Sequence, residues 1–106
     1  MVGFDDFSKM DIRIGKILSA SEHPNADKLY VLRVDIGEKE IQLVAGIKNY
    51  YAADELTGKD IVVLTNLEPR TLRGIESQGM LLAAQSEETI SVLSPDREMP
   101  AGSKVR

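Results

Sequence analysis

His23 is the only histidine in the chain, and there is no cysteine. A two-histidine metal site, a thiolate site and thiol catalysis are therefore excluded. A serine relay would have to recruit His23, and no serine lies in a nucleophile motif. Beside Pro24, His23 reads as a turn residue. Carboxylates are plentiful but not paired by their spacing, and Gly74 and Gly79 lack the spacing and the lysine of a phosphate-cradling loop. No catalytic residue, metal ligand or cofactor is expected. The polar residues that could do chemistry gather instead in two segments. In Glu22–Lys28, Pro24, Asn25 and Asp27 suit a tight turn, while Asn25 and Lys28 also offer a hydrogen-bonding group and a point charge to a partner. In Leu67–Gln78, Arg70 and Arg73 provide planar forks for phosphates, and Ser77 and Gln78 could hydrogen-bond sugar or base. Met80, just beyond, adds a flexible apolar contact. An opposing reading lets Glu68 and Glu76 neutralise the two arginines while Leu72 and Ile75 pin the segment to the core.

The elements that must position these segments follow a period of two. Ile12 and Ile14 point one way in Asp11–Ile17, and Arg13 the other. Tyr30, Leu32, Val34 and Ile36 share one face of a second strand, with Leu29, Val31, Arg33 and Asp35 opposite. Ile41, Leu43 and Ala45 continue after a short Gly37–Glu40 turn, which predicts an antiparallel pair. Further strands are expected over Ile61–Asn66, Gly79–Ala84 and Ile90–Leu93. Between the third and fourth, Asn49 as N-cap, Gly58 past the end, and Tyr50, Ala53 and Leu56 three apart predict a helix of about two turns. Five strands with a helix between the third and fourth is the order of the OB-fold barrel, whose loops after strands one and four flank a binding face. On that fold the two polar segments converge. The tail from Ser94 to Ser103 is rich in turn formers and is expected to be irregular.

Composition bounds the class. With 106 residues, 42% hydrophobic and 28% charged, residues 1–106 are expected to fold as one domain rather than remain disordered. The longest apolar run, Met80–Ala84, is far too short to span a membrane. No basic segment leads into an apolar stretch at the N-terminus, so a soluble cytoplasmic protein is expected. The net charge of −4 opposes generic nucleic-acid binding, which releases counterions from phosphates and favours basic chains. The second polar segment sums to zero, and Glu22, Asp27 and Lys28 leave the first at −1. Any such role must come from a local patch and be modest in strength.

Three motifs, Asp11–Ile17, His23–Leu29 and Pro69–Met80, together and in this order resemble the tRNA-binding domain family. That family includes the C-terminal domain or β subunit of methionyl-tRNA synthetase, and the ending Pro100–Arg106 is most similar to that branch. The resemblance implies an OB-fold barrel that binds tRNA by shape with little sequence preference. By position it implies Asn25, Lys28, Ser77 and Met80 as binding residues and Arg70 and Arg73 as the basic loop, beside the Gln78 read above. It also implies a homodimer formed by segments flanking the barrel, serving the catalytic part of the synthetase as partner, with aminoacylation done elsewhere. Phe4, Phe7, Val92, Leu93 and Met99 are apolar residues outside the main strands that suit such an interface or plug the barrel ends. The alternative is a small chaperone-like protein-interaction module of the same fold.

Overall fold

The computed structural model describes residues 1–106. The chain forms α1 (Phe4–Ser8), β1 (Ile12–Glu22), β2 (Tyr30–Asp35), β3 (Glu40–Ala45), α2 (Ala53–Leu56), β4 (Asp60–Leu64), β5 (Arg70–Leu72), β6 (Ile75–Ser77), β7 (Met80–Leu81), β8 (Ala83–Ser86) and β9 (Thr89–Val92). Five strands in the order β3-β2-β1-β4-β7, all antiparallel, curl into a nearly closed barrel. No helix is long and apolar enough to cross a membrane.

The long first strand closes the curl. Its first half pairs with β4 and its second half with β2, and the register slips between Ile17 and Ser19 at a bulge that bends the strand from one neighbour to the other. Period-two alternation then fills the interior with Ile17, Leu32, Val34, Leu43, Ile61 and Val63, all essentially inaccessible to water. Leu56, the last residue of α2, plugs one end of the barrel and is also wholly buried.

Several expected elements differ in extent. The helix is a single turn and begins at Ala53, not beside Asn49. Residues 47–51 form a turn instead, with Tyr50 and Tyr51 N–H groups donating to the Ile47 carbonyl, and Glu55 takes the capping role by accepting from the Ala52 N–H at 2.8 Å. Tyr50 is exposed, and the predicted face is carried by the wholly buried Leu56 with the half-buried Ala53 packed against the core. The fifth strand is broken at Leu82: β7 stays in the barrel, while β8 turns away to pair with β9 as a separate hairpin. The tail is partly ordered along β1, where Gly102 and Val105 N–H groups donate to the Ile14 and Ile12 carbonyls and Ile14 N–H returns to Ser103. The apolar residues outside the strands also divide. Val92 is buried in the core, whereas Phe4, Leu93 and Met99 are exposed, and every residue of the unexpected α1 faces solvent.

Candidate nucleic-acid interface

The segment Leu67–Gln78 is not an open loop. Residues 70–77 form the hairpin β5–β6, with Arg70 opposite Ser77 and Leu72 opposite Ile75. The two turn residues, Arg73 and Gly74, both have positive φ (52° and 89°), as the tight primed turns of hairpins require. A non-glycine side chain is rarely held in that left-handed region, and here it lifts Arg73 to the tip. Leu72 and Ile75 are half-buried and pin the hairpin, as the opposing reading held. The arginines, however, are not neutralised: neither Arg70 nor Arg73 has a carboxylate within ion-pair distance, and nor does Lys28.

The hairpin closes the barrel against β3 largely through side chains. The Val44 N–H donates to Ser77 Oγ (2.9 Å), and that hydroxyl donates to the Gly79 carbonyl (2.9 Å). Next along, Gln78 N–H donates to the Gln42 carbonyl (2.8 Å), while Gln42 N–H donates to Gln78 Oε1 (2.7 Å). Gln42 Nε2 completes the join on the Glu76 carbonyl. Gly79 lies where a Cβ would meet the Leu64 carbonyl oxygen at 2.8 Å, so only glycine allows this approach. Ser77 and Gln78 thus act as substitutes for missing backbone rungs between β3 and the hairpin.

The two polar segments do converge. His23, 5% exposed, bridges them: its Nε2–H donates to the Leu72 carbonyl (3.0 Å), and Asn25 N–H donates to its Nδ1 (2.9 Å). Arg73 lines one shallow recess with Ala26, Asp27, Lys28 and Leu29. Beside it, a cleft of about 230 Å³ has Val44, Ala45 and Ile47 among its floor residues, with Arg70, Leu72 and the half-exposed Met80 along its sides. Of the expected site residues, Lys28 and Arg73 therefore share one recess, and Arg70, Ser77 and Met80 share the adjoining cleft. Asn25 is exposed on the first loop with its N–H taken by His23, and Gln78 faces a different hollow, among Glu38, Lys39 and Glu76. Ser77 is 5% exposed with its hydroxyl already bonded twice.

Sequence reasoning passed over His23 as a bridge, because a turn residue and a buried strut look alike without the hairpin in view. It also missed Lys48, whose N–H donates to the Lys28 carbonyl and whose ammonium pairs with Glu22 at 3.2 Å on the same side. Elsewhere charges are arranged for structure. Arg13 Nε donates to Asp11 Oδ1 at 2.9 Å, which holds the Asp11 carboxyl below its ordinary range, aided by the Thr65 hydroxyl and by Lys104 and opposed by partial burial.

Comparison with known proteins places this arrangement. Residues 12–104 match the family described as "Putative tRNA binding domain". The methionine–tRNA ligase of Pyrococcus abyssi is 56% identical over 105 residues, and that of Thermococcus kodakarensis 53% identical over 105 residues. Each match covers 99% of this chain, which spans about 14% of the length of those ligases. Among solved structures, a MetRS-related protein from Pyrococcus horikoshii superposes with a TM-score of 0.93 at 33% identity, covering 100% of this chain and 98% of the other. The chaperone CsaA of Bacillus anthracis gives 0.91 at 32%, covering 100% and 99%. Sequence and overall fold are therefore shared with known proteins along the whole chain, and the chain belongs to the tRNA-binding domain family.

Proposed function

We propose that the chain binds tRNA with little sequence preference through the face made by the first loop and the β5–β6 hairpin, and that it does so as a dimeric, non-catalytic accessory of a methionyl-tRNA synthetase in the cytoplasm. The observation that carries this reading is the convergence of Lys28, Arg70 and Arg73, none paired with a carboxylate, on adjoining recesses of one barrel face. Unpaired cations are the groups that phosphates can engage without first breaking an ion pair. Structured RNA is read mainly through backbone, 2′-hydroxyls and shape, so three cations with polar neighbours suffice for a contact without base readout. Asn25 adds a side-chain amide and Met80 an apolar surface; Ser77 and Gln78 act mainly by holding the hairpin on β3.

Three phosphate contacts on a chain of net charge −4 give weak binding, in the micromolar range typical of non-specific complexes. Pairing two such faces, or tethering one to a catalytic subunit, raises effective affinity without new contacts. The dimer reading is supported by α1, five residues with Phe4 79% exposed: a helix that short has little stability of its own in water. An apolar partner surface would explain why it forms.

The test is a tRNA titration by fluorescence anisotropy at two salt concentrations. With about three neutralised phosphates, affinity falls about thirtyfold between roughly 50 and 200 mM salt. Lys28→Ala and Arg73→Ala each flatten that dependence by about one phosphate. The apolar cleft supports a second reading, a groove for unfolded segments like that of a chaperone. Binding of an apolar peptide that is insensitive to salt, with no tRNA binding at low salt, would favour it.

A further inference from the structure

His23 is the one residue of the first loop that is buried, although the loop and the hairpin tip beyond it lie in solvent. Its ring nitrogens face two backbone groups whose roles are unambiguous. The Asn25 N–H can only donate, so Nδ1 accepts; the Leu72 carbonyl can only accept, so Nε2 carries the proton. The neutral Nε2–H tautomer is the one state of the side chain that makes both bonds. His23 N–H also donates to the Leu29 carbonyl (3.2 Å), which closes the base of the loop carrying Lys28. Leu72 immediately precedes Arg73 at the hairpin turn.

We infer that His23 is a positioning residue of the RNA-binding face: its imidazole ties the first loop to the β5–β6 hairpin and thereby sets the spacing at which Lys28 and Arg73 meet an RNA backbone. This rests on the function proposed above. The two cations stand on separate exposed elements, and no other side-chain hydrogen bond or ion pair joins those elements directly. Without the tie, ordering them against phosphates costs conformational entropy at the moment of binding. The charged groups on the elements around the ring are Glu22 of β1 with its partner Lys48, Asp27 and Lys28 of the loop, and Arg70, Arg73 and Glu76 of the hairpin. None makes an ion pair with a ring nitrogen, so the two backbone hydrogen bonds are what hold the ring in place.

Two near-isosteric substitutions separate the bonds. In His23→Asn the amide oxygen replaces the Nδ1 acceptor and the donor to Leu72 is lost; in His23→Gln the amide nitrogen replaces the Nε2 donor. tRNA binding is measured at low salt for both, with circular dichroism confirming the fold. His23→Asn is expected to weaken binding about fivefold, the worth of one net hydrogen bond, and His23→Gln to recover most of it. In the Lys28→Ala, Arg73→Ala background, His23→Asn has no further effect, which a purely structural role would not produce. Wild-type affinity in His23→Asn, no recovery in His23→Gln, or an equal loss with and without the two cations would overturn the inference. Absence of tRNA binding by the unsubstituted chain overturns the proposed function, and this inference with it.

Discussion

Ser77→Ala is expected to be a stability variant, although the residue belongs to the motif that the family resemblance assigns to binding. The hydroxyl accepts from the Val44 N–H and donates to the Gly79 carbonyl, both at 2.9 Å, in surroundings that leave Ser77 5% exposed. Alanine removes both bonds and leaves a buried donor and a buried acceptor unpaired. Each such group costs about 1–3 kcal/mol when water cannot reach it, and partial relaxation brings the sum to about 2–3 kcal/mol. Gln78→Ala is the internal control. It removes the acceptor for the Gln42 N–H at 2.7 Å, but at an exposed position where water substitutes, so its cost stays below about 1 kcal/mol. Urea unfolding followed by circular dichroism separates the two: Ser77→Ala lowers the midpoint by about 0.7–3 M, given slopes of about 1–3 kcal/mol per molar. A Ser77→Ala protein as stable as the wild type but weaker on tRNA would refute the reasoning, because the hydroxyl would then act on the ligand and not on β3.

Gly79→Ala pushes a methyl to 2.8 Å from the Leu64 carbonyl and 3.3 Å from Leu43, so thermal melting should show a loss of about 2 kcal/mol or more. Leu56→Ala opens a cavity at the end of the barrel where the side chain is wholly buried, and chemical denaturation should register about 2–5 kcal/mol. Arg73→Asn places the residue best suited to a left-handed turn position before Gly74; melting should show a gain of about 0.5–1 kcal/mol while tRNA affinity falls, separating stability from binding. Asp11 has its carboxyl lowered by the Arg13 hydrogen bond, so its contribution is present above the unfolded carboxylate value, about 3.9, and is lost as pH falls through the lower folded value. Asp11→Asn should therefore be less stable than wild type at neutral pH, and the difference should close below that range in a pH series of urea titrations.

The barrel was legible in the chain because burial on one face of a strand imposes a period of two. Tyr30, Leu32, Val34 and Ile36 alternate with polar or half-buried neighbours as the pattern predicts, and Ile41 and Leu43 repeat it beside them until Val44, which is buried along with Ala45. The two polar segments were legible too, since Pro24, Asn25 and Asp27, and the pair Arg70 and Arg73, mark where the alternation stops. Three features had no local signal. The hairpin within 67–78 depends on Arg73 adopting a left-handed conformation that its side chain does not favour, and long-range anchoring by Leu72 and by His23 holds it there. The one-turn length of α2 is another: residues 47–51 close a turn on the Ile47 carbonyl, so the helix begins only at Ala53, capped by Glu55. The surroundings of each residue inside Pro69–Met80 were likewise decided by tertiary structure. Arg70, Arg73 and Ser77 are all polar residues of one motif, yet β3 comes close enough to take the Ser77 hydroxyl for its own backbone and leaves the two guanidinium groups in solvent. Residue type determined which polar groups the motif carries; only the approach of strands distant in sequence decided which of them are bonded within the fold and which face solvent.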